Sequence, residues 1–391
     1  MARPRGLMRA LLGWAAGGRF SLEAGRFEGE DADRGDRQLR HVVDAGLAPL
    51  AYHAARDQLQ TLPSCWVEIL KAADVTARFT HAARRETAVQ VIDTCRGLGI
   101  DVTLLKGISI EDQCYPVPHL RPMGDVDLLL PARDAARIES ALLDLGYARK
   151  PDWIDGEGEP HGAPLRDPHR DVWIEPHTAL FHRDAPVNAG RLFGPETVAS
   201  MSIASTFNER PVQRLRDELQ LAYIACYWLR DITNNGTHPT FVIPLVDALL
   251  LLRSSARTLD WDALLGSIDN DLAAASLYLL LAEASAHGCE EVLAPVLPRL
   301  AARQRILGAA ELRVLHRMLD ASLVDGKPFM GAFGRRHPMI ETTLLDTLLT
   351  PEAFIRKVAK LPWNFVFPPR APERYSLRYQ AARMARFVRG G

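Results

Sequence analysis

The sequence has no Cys-x-x-Cys pair, no excess of either charge and no long apolar run, and each absence removes a class of protein. Its five cysteines, Cys65, Cys95, Cys114, Cys226 and Cys289, are odd in number and widely spaced, which excludes a disulfide framework and a structural zinc knuckle. Lys plus Arg (47) nearly cancels Asp plus Glu (48), so the chain lacks the global basic field with which non-specific DNA binders displace counterions. Nucleic acid is therefore not an expected partner. The apolar run from Phe241 to Leu252 is broken by Pro244 and Asp247 and reads as a buried core helix, not a membrane span. Met1 to Gly18 begins basic like an export signal, but Arg9 interrupts its short apolar run. The expectation is a soluble cytoplasmic protein without integral membrane association.

What is present is 391 residues at 47% hydrophobic, enough for a large core and roughly two or three structural units. From about Asp36 to Leu98 the pattern is helical, with Trp66, Ile69, Leu70 and Ala73 at three- and four-residue spacing. Gly99 ends this lead-in, and Val102-Thr103-Leu104-Leu105 reads as a short strand closed by Lys106-Gly107 before a helix to Cys114. Tyr115-Pro116-Val117-Pro118 stops that helix. A turn at Pro122-Met123-Gly124 launches the strand Asp125 to Leu130, followed by an amphipathic helix from Ala132 to Leu145. Ala148 to Arg170, with its Asp155-Gly156-Glu157-Gly158 turn signal, reads as a long hairpin or loop, and Asp171 to His177 as a strand. Beyond about Gln213 the chain reads as helical, with candidates at 219–229, 243–252, 261–268 and 272–284. The prolines at 362, 368, 369 and 372 predict a stiff linker before an arginine-rich helix over 374–389.

In a strand, Asp125 and Asp127 project from one face while Val126 and Leu128 point to the other. Two carboxylates so close repel unless a cation or proton lies between them, and Mg²⁺ takes oxygen ligands of this kind together with substrate phosphates. An isolated Asp-x-Asp is short and common, and more often reflects a turn-capping Asp125 and a solvent-facing Asp127. The surrounding frame carries the stronger reading: Leu104-Leu105-Lys106-Gly107, then Arg121, then Asp125-Val126-Asp127-Leu128-Leu129, then Trp173-Ile174-Glu175-Pro176-His177.

With these elements the sequence resembles the nucleotidyltransferase superfamily typified by DNA polymerase beta, and more closely the bacterial group called uncharacterised nucleotidyltransferase family 5. The resemblance is densest from about Val102 to Leu180. It departs from the wider superfamily in having Lys106-Gly107, with Ser109 two residues on, where Gly-Ser is usual, and Glu175 where Asp is more typical. The resemblance implies an α+β fold: a small mixed β-sheet nucleotidyltransferase core with a helical N-terminal lead-in and a C-terminal helical bundle. The expected divisions are a helical region over 1–98, a catalytic core over 99–210, a helical bundle over 211–362 and a linker with basic helix over 363–391.

It also implies that Asp125, Asp127 and Glu175 are catalytic and hold Mg²⁺ or Mn²⁺ around a nucleoside triphosphate donor. Lys106, Gly107, Ser109 and Arg121 are the candidate phosphate-binding residues. Arg suits bidentate phosphate contact, and a helix N-terminus supplies N–H donors. His177 shares the Glu175 face, although a lone histidine is more often a structural group. The implied reaction moves a nucleoside monophosphate, most simply AMP from ATP, to a hydroxyl of a small molecule, peptide or protein, releasing pyrophosphate. Two other readings remain open: a slow or inactive nucleotide-binding regulatory module, and a template-independent RNA-tailing enzyme. The second needs a continuous basic groove with exposed aromatics, for which only the C-terminal segment has the composition.

Overall fold

Strand β2 (Asp125–Leu129) forms because Val126 and Leu128 are apolar at alternate positions, and both are fully buried. The computed structural model describes residues 6–22, 32–151, 153, 159–327 and 338–367. Around β2 the strands β1 (Thr103–Leu104), β3 (Ala148–Arg149), β4 (Leu165–Asp167), β5 (Val172–His177), β6 (Ser202–Phe207) and β7 (Arg210–Leu215) complete a seven-stranded sheet in the order β3-β4-β5-β2-β1-β7-β6. The sheet is mixed: β2 runs parallel to β5 and β1 parallel to β7, and the other neighbouring pairs are antiparallel. The class is α+β, as expected.

One face of this sheet is covered by the 34-residue helix Ser64–Gly97, whose Ala88, Val91, Ile92 and Cys95 join Val126, Leu128 and Ile174 in one core with Ile138 and Leu142 of helix Ala135–Asp144. The apolar stripe of the long helix is narrower than its spacing suggests. Trp66 and Leu70 are buried, but Ile69 is 45% exposed.

The chain forms two compact units, one of Gly46–Ile224 with Leu250–Asn270, which holds the whole sheet, and one of Met1–Ala45, Ala225–Leu249 and Asp271–Gly391. Neither is a continuous stretch. Strand β7 itself crosses the expected end of the core at 210. The hairpin β6–β7 is absent from the sequence reading because its signals are weak. Its two turn residues, Asn208 and Glu209, both take positive φ (47° and 67°), the geometry of a primed hairpin turn, without the glycine that usually announces one.

In the second unit, helix Leu7–Ala15 buries Leu7, Met8, Leu11 and Leu12, and Arg9, the residue that interrupts the apolar run, pairs with Asp320 at 2.5 Å and Asp325 at 3.2 Å. The helices expected after 213 are found as Asp217–Asn235, Ile243–Ser255, Trp261–Ser267 and Asp271–Ala284. Among the described residues, Asp271–Leu293 is long and apolar enough to cross a membrane by length and composition, which the sequence reading did not assign. Most of that stretch is buried, and Gly288 breaks its helical geometry at φ 126°. The expected linker start is corrected: Pro362 lies inside helix Phe354–Val366. The turn signal at 155–158 and the basic helix over 374–389 lie outside the described residues.

Candidate active site

Strands β2 and β5 are parallel and pair Asp127 with Glu175, so the two carboxylates leave the same face of the sheet side by side. Asp125 and His177 lie two residues away on the same face of their strands. The chain reaches this face a third time at the β1-to-helix turn, where the Leu105 N–H donates to the Asp127 carbonyl (3.1 Å). Lys106 then turns into helix Lys106–Cys114 with φ 46°, a left-handed conformation that costs a non-glycine residue roughly 1–2 kcal/mol. That turn aims the side chain inward. Lys106 Nζ donates to Asp127 Oδ1 at 2.5 Å, and His177 Nε2 lies 2.7 Å from the same oxygen.

Asp127 is 3% exposed, and burial alone would raise its proton affinity; Lys106 and His177 reverse this and hold it well below the usual carboxylate range. Burial pushes the His177 imidazole down, against the hydrogen bond and charge of Asp127, which favour its protonated form. Its Nδ1 is buried with no hydrogen-bond partner among the described residues. The His161 ring lies edge-on to it at 5.2 Å. Lys106 would be lowered by burial, but Tyr223 and Asp127 keep its ammonium above its ordinary value.

Asp125 is half-buried and differs from its neighbour: burial first, then the charges of Asp127 and Glu175, push it up to about 7, against Lys106 and Arg121. Asp127, Glu175 and His177 each offer a donor atom within 4.8 Å of the other two, the one such group of three among the described residues. Carboxylate oxygens beside a single imidazole suit a divalent cation.

The candidate phosphate residues separate on inspection. Gly107 is not at a positive φ; a Cβ there would run into the Arg121 Nη1 and come within 2.6 Å of Met123 Sδ. Its missing side chain is what lets Arg121 and Met123 lie against the start of the helix. Arg121 donates to the Pro122 carbonyl at 3.0 Å and contributes positive potential at Asp125. Ser109 is 1% exposed, and its hydroxyl accepts from Gln113 Nε2 at 3.3 Å, so its oxygen is engaged within the helix.

Sequence reasoning missed Arg84. It stands on the long helix and makes no hydrogen bond or ion pair among the described residues, while the charges of Glu111, Asp125 and Arg121 all act on it; burial is the main reason its pKa is lowered. No local motif marks it, because 40 residues separate it from Asp125.

Comparison of the sequence identifies the family. Residues 31–287 match the family model described as an uncharacterised nucleotidyltransferase. The chain belongs to this nucleotidyltransferase family. A solved structure similar to it is an antigenic nucleotidyltransferase-like protein from Paracoccidioides brasiliensis, 16% identical, with 56% of this chain and 94% of that one covered and a TM-score of 0.36. No curated protein matches the chain. Within the family frame, Lys106, Asp125, Asp127, Glu175 and His177 of this nucleotidyltransferase converge on one sheet face, with Arg121 and Arg84 acting on it electrostatically.

Proposed function

We propose that this nucleotidyltransferase moves a nucleoside monophosphate, most simply AMP from ATP, onto a hydroxyl of a small molecule, peptide or protein, with Mg²⁺ or Mn²⁺ as cofactor and the cytoplasm as its compartment. The observation that carries the reading is the pairing of Asp127 with Glu175 across β2 and β5, with Asp125 two residues before and Lys106 closing on Asp127. The donors fit a divalent cation: Asp127, Glu175 and His177 each offer a donor atom within 4.8 Å of the other two, and a cation there would also relieve Asp125, which burial first and then the charges of Asp127 and Glu175 push up to about 7.

Asp127 and Glu175 would hold the metal, with Asp125 and His177 beside them. When bound, it supplies Lewis-acid stabilisation of the charge that develops on the attacking and leaving oxygens. The chain's own groups do the rest. Lys106, Arg121 and Arg84 offer cations to the triphosphate, and the two arginines suit its oxygens by bidentate contact. Glu175, the partly exposed carboxylate, is placed to take the acceptor's hydroxyl proton. The acceptor oxygen bonds to the α-phosphorus as the bond from that phosphorus to the bridging oxygen breaks, and pyrophosphate leaves with its charge.

Calorimetric titration of ATP, GTP, CTP and UTP, with and without Mg²⁺ or Mn²⁺, tests this on the wild type and on Asp125→Asn with Glu175→Gln. The expected result is metal-dependent binding of one nucleotide, weakened at least tenfold in the double variant. Folded wild-type protein that binds no nucleotide under any of these conditions would overturn the reading.

A further inference from the structure

Cations and aromatic rings lie on opposite flanks of the Asp127–Glu175 pair. On one flank the chain leaving β1 places Lys106 against Asp127, and Arg121 lies against Gly107 at the start of the next helix. On the other, the residues before β4 extend the sheet along the end of β5. The Gly162 N–H donates to the Pro176 carbonyl (2.9 Å), the Thr178 N–H donates to the Pro160 carbonyl (2.7 Å), and His161 stands opposite His177. Cross-strand neighbours share a face, so His161 joins the face that carries Asp127, Glu175 and His177. Its ring lies 5.2 Å from that of His177 and 5.0 Å from that of Trp153, the latter two planes inclined at 37°. His161 Nδ1 donates to the Gly162 carbonyl (3.0 Å), which leaves Nε2 as the lone-pair nitrogen of the neutral ring. Both His161 and Trp153 are partly exposed, so the row of rings that starts at the buried His177 ends at solvent.

Displacement at phosphorus gives the two flanks different uses. The attacking and leaving oxygens stand on opposite sides of the α-phosphorus, and the nucleoside leaves it across that axis. With Lys106 and Arg121 holding the departing pyrophosphate, the acceptor arrives from the flank of Glu175, His161 and Trp153. Building on the reaction proposed above, we propose that His161 and Trp153 form the acceptor site and that the acceptor is a phenol, the group a tyrosine carries. Its ring would lie against the two partly exposed rings, in the offset or edge-on contacts that aromatic pairs prefer. A phenol loses its proton near pH 10, well below an aliphatic hydroxyl, so a carboxylate takes that proton more readily. The phenolic oxygen bonds to the α-phosphorus as its proton passes to Glu175, and the bond from phosphorus to the bridging oxygen breaks to release pyrophosphate.

The test offers the full chain Mg²⁺, the nucleotide that calorimetry shows it to bind, labelled at the α-phosphate, and one of four acceptors: free tyrosine, N-acetyl-tyrosinamide, N-acetyl-serinamide or methyl glucoside. The expected result is label transfer to a tyrosine form about tenfold or more faster than to the serine or sugar hydroxyl. The better of the two tyrosine forms tells a small-molecule phenol from one within a peptide. Trp153→Ala and His161→Ala should each lower kcat/KM for that acceptor about tenfold, chiefly through KM, while nucleotide affinity changes by less than about twofold. Trp153→Phe, which keeps a ring, should retain most of the transfer, and nucleotide binding by calorimetry shows that each variant is folded. A wild type that binds nucleotide but does not prefer the phenol overturns the proposal. So do substitutions that weaken nucleotide binding in place of transfer, which would give the rings to the nucleobase. A wild type that binds no nucleotide fails one step earlier, and the proposed reaction falls with it.

Discussion

Gly107 has no room for a side chain, and two opposing magnitudes decide what alanine would do there. Inside a helix, Gly→Ala ordinarily stabilises by about 1 kcal/mol. Here the added Cβ meets the Arg121 guanidinium and both Cγ and Sδ of Met123 at 2.6 Å. Overpacking of this kind costs about 1–3 kcal/mol, so Gly107→Ala should lower the melting temperature and, by displacing Arg121, weaken nucleotide binding. A rise in melting temperature would show that Arg121 and Met123 move aside freely. The residue type was legible in the sequence, but its reason was not: the motif suggests close approach of phosphate, whereas the packing shows close approach of Arg121. Lys106 shows the same limit, since its place before the glycine was visible and its bond to Asp127 depends on a left-handed turn that no propensity announces.

At the scale of elements, Asp167 ties the β4–β5 turn to the long helix. Its Oδ1 accepts from the His169 N–H (2.9 Å) and the Arg170 N–H (3.3 Å), and its Oδ2 from Thr87 Oγ1 (2.7 Å) and Arg170 Nη1 (3.0 Å). Burial alone would raise this carboxyl, but the Thr87 and backbone donors outweigh it and hold it below its ordinary value. A carboxyl with a depressed folded pKa contributes stability that is present above its unfolded value, about 4, and is lost as pH falls through the folded one. Asp167→Asn should therefore cost about 1–3 kcal/mol at pH 7 in urea denaturation, with the gap from wild type closing below about pH 4. A gap that stays constant with pH would rule out the ionised carboxylate as its source. Strands β2 and β5 and the helices after 213 were legible because their apolar periodicity is strong. The β6–β7 hairpin was not: Pro211 and the glycine-free Asn208-Glu209 turn mask it, and the β7 register is set by pairing with β1.

The whole molecule sets what can be removed. A fragment of residues 99–210, the core as the linear pattern delimits it, would keep only the first residue of β7 and would lack helix Ser64–Gly97, which supplies Ala88, Val91, Ile92 and Cys95 to the core of the sheet. Losing that much buried apolar surface removes more stability than a domain holds in reserve, so the fragment should show no cooperative thermal unfolding by circular dichroism. A sharp transition would mean that the sheet holds together without the long helix. By itself the sequence determined the class of fold and the family frame and marked the candidate residues for the chemistry, because strand alternation and a dense local motif are short-range properties. Only the tertiary structure decided that Asp127 pairs with Glu175, that His177 lies beside them, that Arg84 acts on Asp125, and that each unit is assembled from separated stretches. Those are contacts between residues far apart in the chain, fixed by which faces pack together, and sequence spacing carries no record of them.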